Sequence, residues 1–217
     1  MKIIEPSYEI LFMQNNDQLL SLVEKAGRAC YKSEDKITAG SAESFVKMIL
    51  KSGHHSVIEH ANISVRFVCD RGVTHELVRH RLAAYSQEST RYSNYSKDKF
   101  GNEITVIRPF FWNKDPKKFA VWKRAMEQTE KAYMELLSMG ARPEEARSVL
   151  PNSLKTEIVM TCNLREWRHI INLRCSKAAH PQIREIMFPL LSDFYSRLPA
   201  VFEDLYNKSL CYSSAFL

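Results

Sequence analysis

The six glycines of this chain, Gly27, Gly40, Gly53, Gly72, Gly101 and Gly140, never come closer than 13 residues to one another. Neither a GxGxxG turn nor a GxxxxGKS/T loop can therefore be written anywhere in the sequence. That spacing excludes the doubly wound dinucleotide fold and the phosphate-binding loop of nucleotide hydrolases. Any nucleotide bound here must be gripped by arginines, hydroxyls and helix N-termini.

The length of 217 residues suits one large domain, and no repeat, low-complexity tract or Pro/Ser-rich linker divides residues 1–217. Hydrophobic residues make up 45% and charged residues 26%, enough to bury a core and far from the composition of disordered chains. No apolar run approaches the roughly 18 residues needed to cross a bilayer, so the expectation is a cytoplasmic protein without a membrane partner. The net charge of +6 favours anionic partners without separating nucleic acids from small phosphates. The five cysteines (Cys30, Cys69, Cys162, Cys175, Cys211) are odd in number and form no CxxC pair. They read as reduced, buried thiols rather than a disulfide framework or a zinc site.

Helical spacing dominates. Segments 17–30 and 41–52 are amphipathic, residues 61–68 alternate as a half-buried strand, and a short helix is expected from Gly72 to about Arg81. Residues 82–102 are polar and aromatic without periodicity and read as a long irregular loop, followed by a strand over 104–107. Asp115-Pro116 supplies an N-cap and a first-turn proline. Phe119, Trp122, Met126, Thr129, Tyr133 and Leu136 then step by three and four toward Gly140, as a core or subunit-contact stripe. A short helix from Pro143 to Arg147, a strand over 153–162 and a last long helix over 181–198 complete the reading.

Three constellations carry chemistry. In the first, Arg79, His80, Arg81 and Arg91 bracket a hydroxyl- and aromatic-rich stretch (Tyr85, Ser86, Ser89, Thr90, Tyr92) that is either a solvated basic turn or a phosphate- and base-gripping loop. The second begins with Asn163 as N-cap and Glu166 three residues later, a capping-box pattern. Trp167, Ile171 and Arg174 follow on one helix face. An arginine on an apolar face needs an acidic side chain or an anionic ligand; the opposite edge offers Arg165, His169 and Asn172. The third, His54-His55…Glu59-His60, is not HExxH, and its histidines read as ligand hydrogen-bonders or helix caps rather than metal ligands. Tyr85, Tyr92 and Tyr95 could instead stack on bases of a single strand.

The RHR triplet followed after seven residues by Ser89 and then Arg91-Tyr92 resembles the signature of the flavin-dependent thymidylate synthases. The likeness extends to GHxSxxEH (Gly53 to His60), ARxxLP (Ala146 to Pro151) and TxNxRxWxxxxxLR (Thr161 to Arg174). It implies an α+β fold, helices packed around an antiparallel β-sheet in a single domain, assembled as a homotetramer with FAD sites where subunits meet. The implied reaction is reductive methylation of dUMP to dTMP, with 5,10-methylenetetrahydrofolate as carbon donor, NADPH as reductant and FAD as hydride carrier. No metal and no nucleic-acid partner is implied.

By the same resemblance FAD falls to Ser56, Arg79, His80, Arg81, Gln87, Asn163, Leu164, Arg165 and His169. Substrate falls to Glu76, Leu77, Val78, Arg79, Gln87, Glu88, Ser89, Thr90, Arg91, Arg147 and Arg174, with Arg174 catalytic. Many relatives carry their carboxylate one position earlier than Glu88, which leaves open whether Gln87 or Glu88 meets the ligands. No cysteine lies in these motifs, so a covalent thiol is not expected; Cys175, beside Arg174, is the one neighbouring candidate.

Overall fold

A computed structural model describes residues 1–213. The strands are β1 (Lys2–Ile4), β2 (Ser7–Met13), β3 (Asn62–Asp70), β4 (Ala83–Gln87), β5 (Thr105–Ile107) and β6 (Lys155–Asn163). The helices are α1 (Asn16–Ala29), α2 (Ser41–Lys51), α3 (Arg71–Leu77), α4 (Pro116–Ser138), α5 (Pro143–Ala146), α6 (Leu164–Arg174), α7 (Pro181–Arg197) and α8 (Pro199–Ser213). The architecture is α+β with an antiparallel sheet of order β2-β3-β6-β4. Ser64 meets Thr161 at 2.8 Å and Arg66 reaches Glu157 at 3.9 Å, which gives the antiparallel register of β3 against β6. Alternate residues of both central strands, Ile63, Val65 and Phe67 on one and Thr156, Ile158, Met160 and Cys162 on the other, are buried, as the two faces of a pleat require.

The chain divides into two compact units. The first comprises Met1–Tyr8, Arg66–Arg79 and Tyr85–Val159. Here β1 pairs in parallel with β5, Ile3 opposite Val106. The α4 stripe is core: Trp122, Met126 and Tyr133 are buried with Tyr95, Ile104, Val106 and Leu154. Asp115 caps α4 by accepting from Lys118 N–H at 3.1 Å, and the Trp122 indole N–H donates to Ser153 Oγ at 3.1 Å.

The second unit comprises Glu9–Val65, His80–Ala84 and Met160–Leu217. Trp167 of α6 is fully buried, its indole N–H donating to the Ile63 carbonyl at 3.1 Å while its ring meets Phe194 edge-on. Arg168 grips Asp204 of α8 with both terminal nitrogens, at 2.7 and 2.6 Å.

Several expectations are corrected. Residues 82–102 are not one irregular loop: residues 83–87 form edge strand β4, and Tyr95 lies in the core with its backbone N–H on the Tyr133 hydroxyl at 3.4 Å. AAYSQ holds no β-branched residue, so pairing with β6 rather than propensity makes it a strand. The helix after Gly72 stops at Leu77, whose carbonyl takes the Tyr85 hydroxyl at 2.6 Å, and Arg79 to Arg81 lie beyond it. Two N-terminal strands stand on either side of Glu5-Pro6, and a further helix opens at Pro199 after α7. Cys69, Cys162 and Cys175 are buried as expected, whereas Cys30 and Cys211 are exposed. Among the described residues no helix is long and apolar enough to cross a membrane.

Candidate functional site

In the second unit, Asn163 caps α6, its side-chain oxygen accepting from Glu166 N–H at 2.9 Å. The expected return half of the capping box is replaced by something else. The Glu166 carboxylate is buried, and its Oε1 lies 3.4 Å from His80 Nδ1. On the other side of that ring, Arg174 Nε donates to His80 Nε2 at 3.0 Å. His169, exposed, meets the His80 ring edge-on at 5.6 Å between centroids.

Burial, then the Arg174 charge and His169, lower the His80 pKa to about 4, so the ring is neutral at physiological pH. Among the described residues, His80, Glu166 and His169 form the one group with ligand atoms close enough to share a metal ion, within 4.8 Å. His80 Nε2 is already engaged by Arg174, however, and the guanidinium beside it opposes a cation. The His54 to His60 cluster forms no such group among those residues.

The same unit contains a cavity of about 1170 Å³ between α1, α2 and the segment around Gly53 to Val57. Its walls combine cations (Arg28, Lys36, Arg165), hydroxyls (Ser44, Ser52, Ser56), His54, His55 and the Phe45 and Tyr31 rings. Its size exceeds the about 300–1,000 Å³ usual for small-molecule pockets, and its positive walls suit a large anionic ligand with planar rings. Arg28 is fixed there by buried Glu24, at 2.8 Å, and lies over Phe45. Glu24 also accepts from Ser41 Oγ, which joins α1 to α2.

The residues expected at FAD separate into groups. Ser56 and Arg165 line the cavity, Arg165 also pairing with Glu59 at 2.6 Å. His80 and His169 meet in the cluster around Arg174. Asn163 is a cap, and the Leu164 side chain is fully buried with its N–H given to the Ala61 carbonyl. Arg81 is exposed.

In the first unit, Arg79 and Val78 are exposed just past α3, while Leu77 is buried and Glu76 half-buried. Gln87 donates to Thr74 Oγ1 at 3.0 Å and Thr156 Oγ1 at 3.3 Å. Glu88 accepts from the Tyr95 hydroxyl at 3.0 Å and Lys155 Nζ at 3.2 Å. Both line a cavity of about 450 Å³ with Arg66 and Lys155. Ser89 Oγ accepts from Arg91 N–H at 3.3 Å in a tight turn, and buried Thr90 accepts from Arg147 at 3.4 Å. Exposed Arg91 stands 3.9 Å from Glu144 and lies over the Tyr92 ring.

Of the three tyrosines considered for base stacking, Tyr95 is buried and Tyr85 is tied to Leu77, leaving Tyr92 exposed. No stacking platform forms from them. Cys175 is buried and its thiol is pushed up to about 12 by burial, which removes it as a thiolate nucleophile. Two features escaped the sequence reading. Glu166 was legible only as a capping residue, and the α1 and α2 walls of the large cavity carried no motif beyond amphipathic spacing.

The sequence matches the family described as Thymidylate synthase complementing protein over residues 12–200. A "Flavin-dependent thymidylate synthase" of Pyrococcus furiosus is 35% identical over 82% of this chain and 72% of its own length. Another, of Geobacter sulfurreducens, is 34% identical over 90% and 86%. One from a Mycobacterium species is 38% identical over 85% and 79%. Among solved structures, a UMP/dUMP methylase PolB from Streptomyces cacaoi, bound with 5-Br dUMP, superposes with a TM-score of 0.78 over 94% of this chain and 96% of that one. At 23% identity that likeness concerns the fold.

Proposed function

The chain belongs to the family of flavin-dependent thymidylate synthases, and from that premise we propose that residues 1–217 act as one domain that methylates dUMP to dTMP. The carbon donor is 5,10-methylenetetrahydrofolate and the reductant NADPH, in a cytoplasmic homotetramer. The observation that carries this reading is the identity of 34–38% to enzymes of that name over most of the chain.

The cavity walled by Arg28, Phe45, Ser56 and Arg165 fits FAD in charge and in planar surface, which is what the missing glycine loop demands of a nucleotide-binding chain. When bound, FAD supplies the hydride that completes the methyl group. Arg79, His80, Arg81, Gln87, Asn163, the Leu164 backbone and His169 complete its binding in the assembled enzyme.

The roles of the remaining residues follow from the chemistry of uracil. Carbon 5 must become nucleophilic, and a guanidinium beside the base stabilises the ionised N3 form and the enolate-like charge that develops. Arg174 takes that role because its charge is permanent and its Nε edge is already held by His80. Glu76 to Arg79, Gln87 to Arg91 and Arg147 hold the rest of the nucleotide.

Purified protein should be yellow, with a flavin absorbance band, and should form dTMP only when dUMP, methylenetetrahydrofolate and NADPH are all present. A colourless protein that remains inactive after incubation with FAD would overturn the proposal. Light scattering should give the mass of four chains.

A further inference from the structure

The third helical residue of α6, Glu166, is 7% exposed, and its carboxylate is directed at a histidine rather than at the helix start. Arginine donates and never accepts, so the 3.0 Å contact from Arg174 Nε obliges His80 Nε2 to offer a lone pair. The ring is then neutral, and its single proton sits on Nδ1, facing Glu166 Oε1 at 3.4 Å. The opposite tautomer would set two N–H groups against each other at Nε2 and two lone pairs against each other at Nδ1. A carboxylate in this place therefore selects the tautomer that Arg174 needs, as outer partners of metal-bound histidines do.

We propose that Glu166 is a positioning residue: through His80 it holds the Arg174 guanidinium in the orientation that meets an anionic uracil. The proposal rests on the reading of Arg174 as a dUMP contact, whereas the tautomer it requires does not. All the side chains concerned, Glu166, His80, Arg174 and neighbouring His169, belong to one compact unit.

Nitrogen-15 NMR of the full chain labelled on histidine separates protonated from unprotonated ring nitrogens, and the His80 signals are assigned by their loss in His80→Asn. Wild-type protein should show a protonated Nδ1 and an unprotonated Nε2. In Glu166→Leu the population should move toward protonated Nε2, and dUMP affinity of the holoenzyme, by titration calorimetry, should fall roughly 3- to 10-fold, the loss of one hydrogen bond's worth of orientation. Glu166→Gln keeps an oxygen that accepts from Nδ1 and should recover most of both.

Protonated Nε2 in the wild type overturns the proposal with no variant needed. So does an unchanged tautomer in Glu166→Leu, or a shifted tautomer with dUMP affinity intact while Arg174→Ala still weakens it. If Arg174→Ala leaves dUMP affinity unchanged, the reading of Arg174 fails and takes the proposal with it, and the wild-type and Glu166→Leu spectra tell the two failures apart.

Discussion

Arg174 and His80 stand 94 residues apart in sequence and 3.0 Å apart in the fold, with the guanidinium donating and the imidazole accepting. Only a neutral histidine can take that contact. The burial that lowers its pKa to about 4 keeps it neutral under working conditions. The pair thus couples a permanent charge, suited to an anionic base, to a group whose protonation would expel it.

Arg174→Lys keeps the charge and removes both the planar fork and the Nε donor. If Arg174 stabilises ionised uracil, flavin oxidation by substrate should slow by roughly ten- to a hundred-fold, the value of a charge-assisted hydrogen bond of about 1.5–3 kcal/mol. Flavin reduction by NADPH leaves the uracil ring untouched and should change less. Stopped-flow traces of the two half-reactions decide it: equal damage to both, or a lower melting temperature alone, would return Arg174 to a structural role.

Acid should destabilise the fold through His80. Its folded-state pKa, about 4, lies below the unfolded value near 6.5, so between those limits the unfolded chain binds the proton first. The contribution is whole above about pH 6.5 and is lost as pH falls toward 4, at most about 3.5 kcal/mol at roughly 1.4 kcal/mol per pH unit. Burial, then the Arg174 charge and His169, sets the size of the effect, while the Glu166 carboxylate also faces the ring. Denaturant titrations from pH 7 to 4 should show a steeper loss for wild type than for His80→Gln; parallel curves would refute the assignment.

Gly27→Ala should reshape the large cavity. A Cβ on Gly27 would stand 2.6 Å from the Phe45 ring and 3.0 Å from Val57 Cγ1, so the ring that lies under Arg28 must move. Overpacking of this kind costs about 1–3 kcal/mol. A lower melting temperature together with reduced flavin retention after gel filtration is expected. Normal flavin content would place the cofactor elsewhere.

Ser89→Ala removes a hydroxyl that accepts from Arg91 N–H within its own turn. The turn also rests on the Ser89 carbonyl, which takes the N–H groups of Tyr92 and Ser93, so the backbone should survive. Turnover should remain measurable, with dUMP binding weaker by up to about tenfold. Abolished activity, or a covalent adduct trapped on Ser89, would instead mark it as a nucleophile.

The regular elements were legible where local rules act alone. The stripe of α4, the Asp115 cap with Pro116, and the alternation of β3 and β6 are written in residues a few positions apart. Edge strand β4 was not, because AAYSQ has weak intrinsic preference and becomes a strand only beside β6. Arg174 was marked by being an arginine on an apolar face, and the histidine from position 80 that accepts from its Nε is a partner that sequence alone did not suggest.

Glu166 draws the line between the two kinds of information. Sequence by itself determined that a helix begins after Asn163, since a cap and its N–H partners lie within three residues and their hydrogen bonds form in any surroundings. It also determined, through the wide spacing of its glycines, that no glycine-rich phosphate loop can be built from this chain. Only the tertiary structure decided that the Glu166 carboxylate turns inward, because that choice depends on a buried ring brought from position 80. A carboxylate in water serves the helix end, whereas one shut away from water must find a donor or incur its desolvation penalty. His80 Nδ1 is the donor the fold supplies.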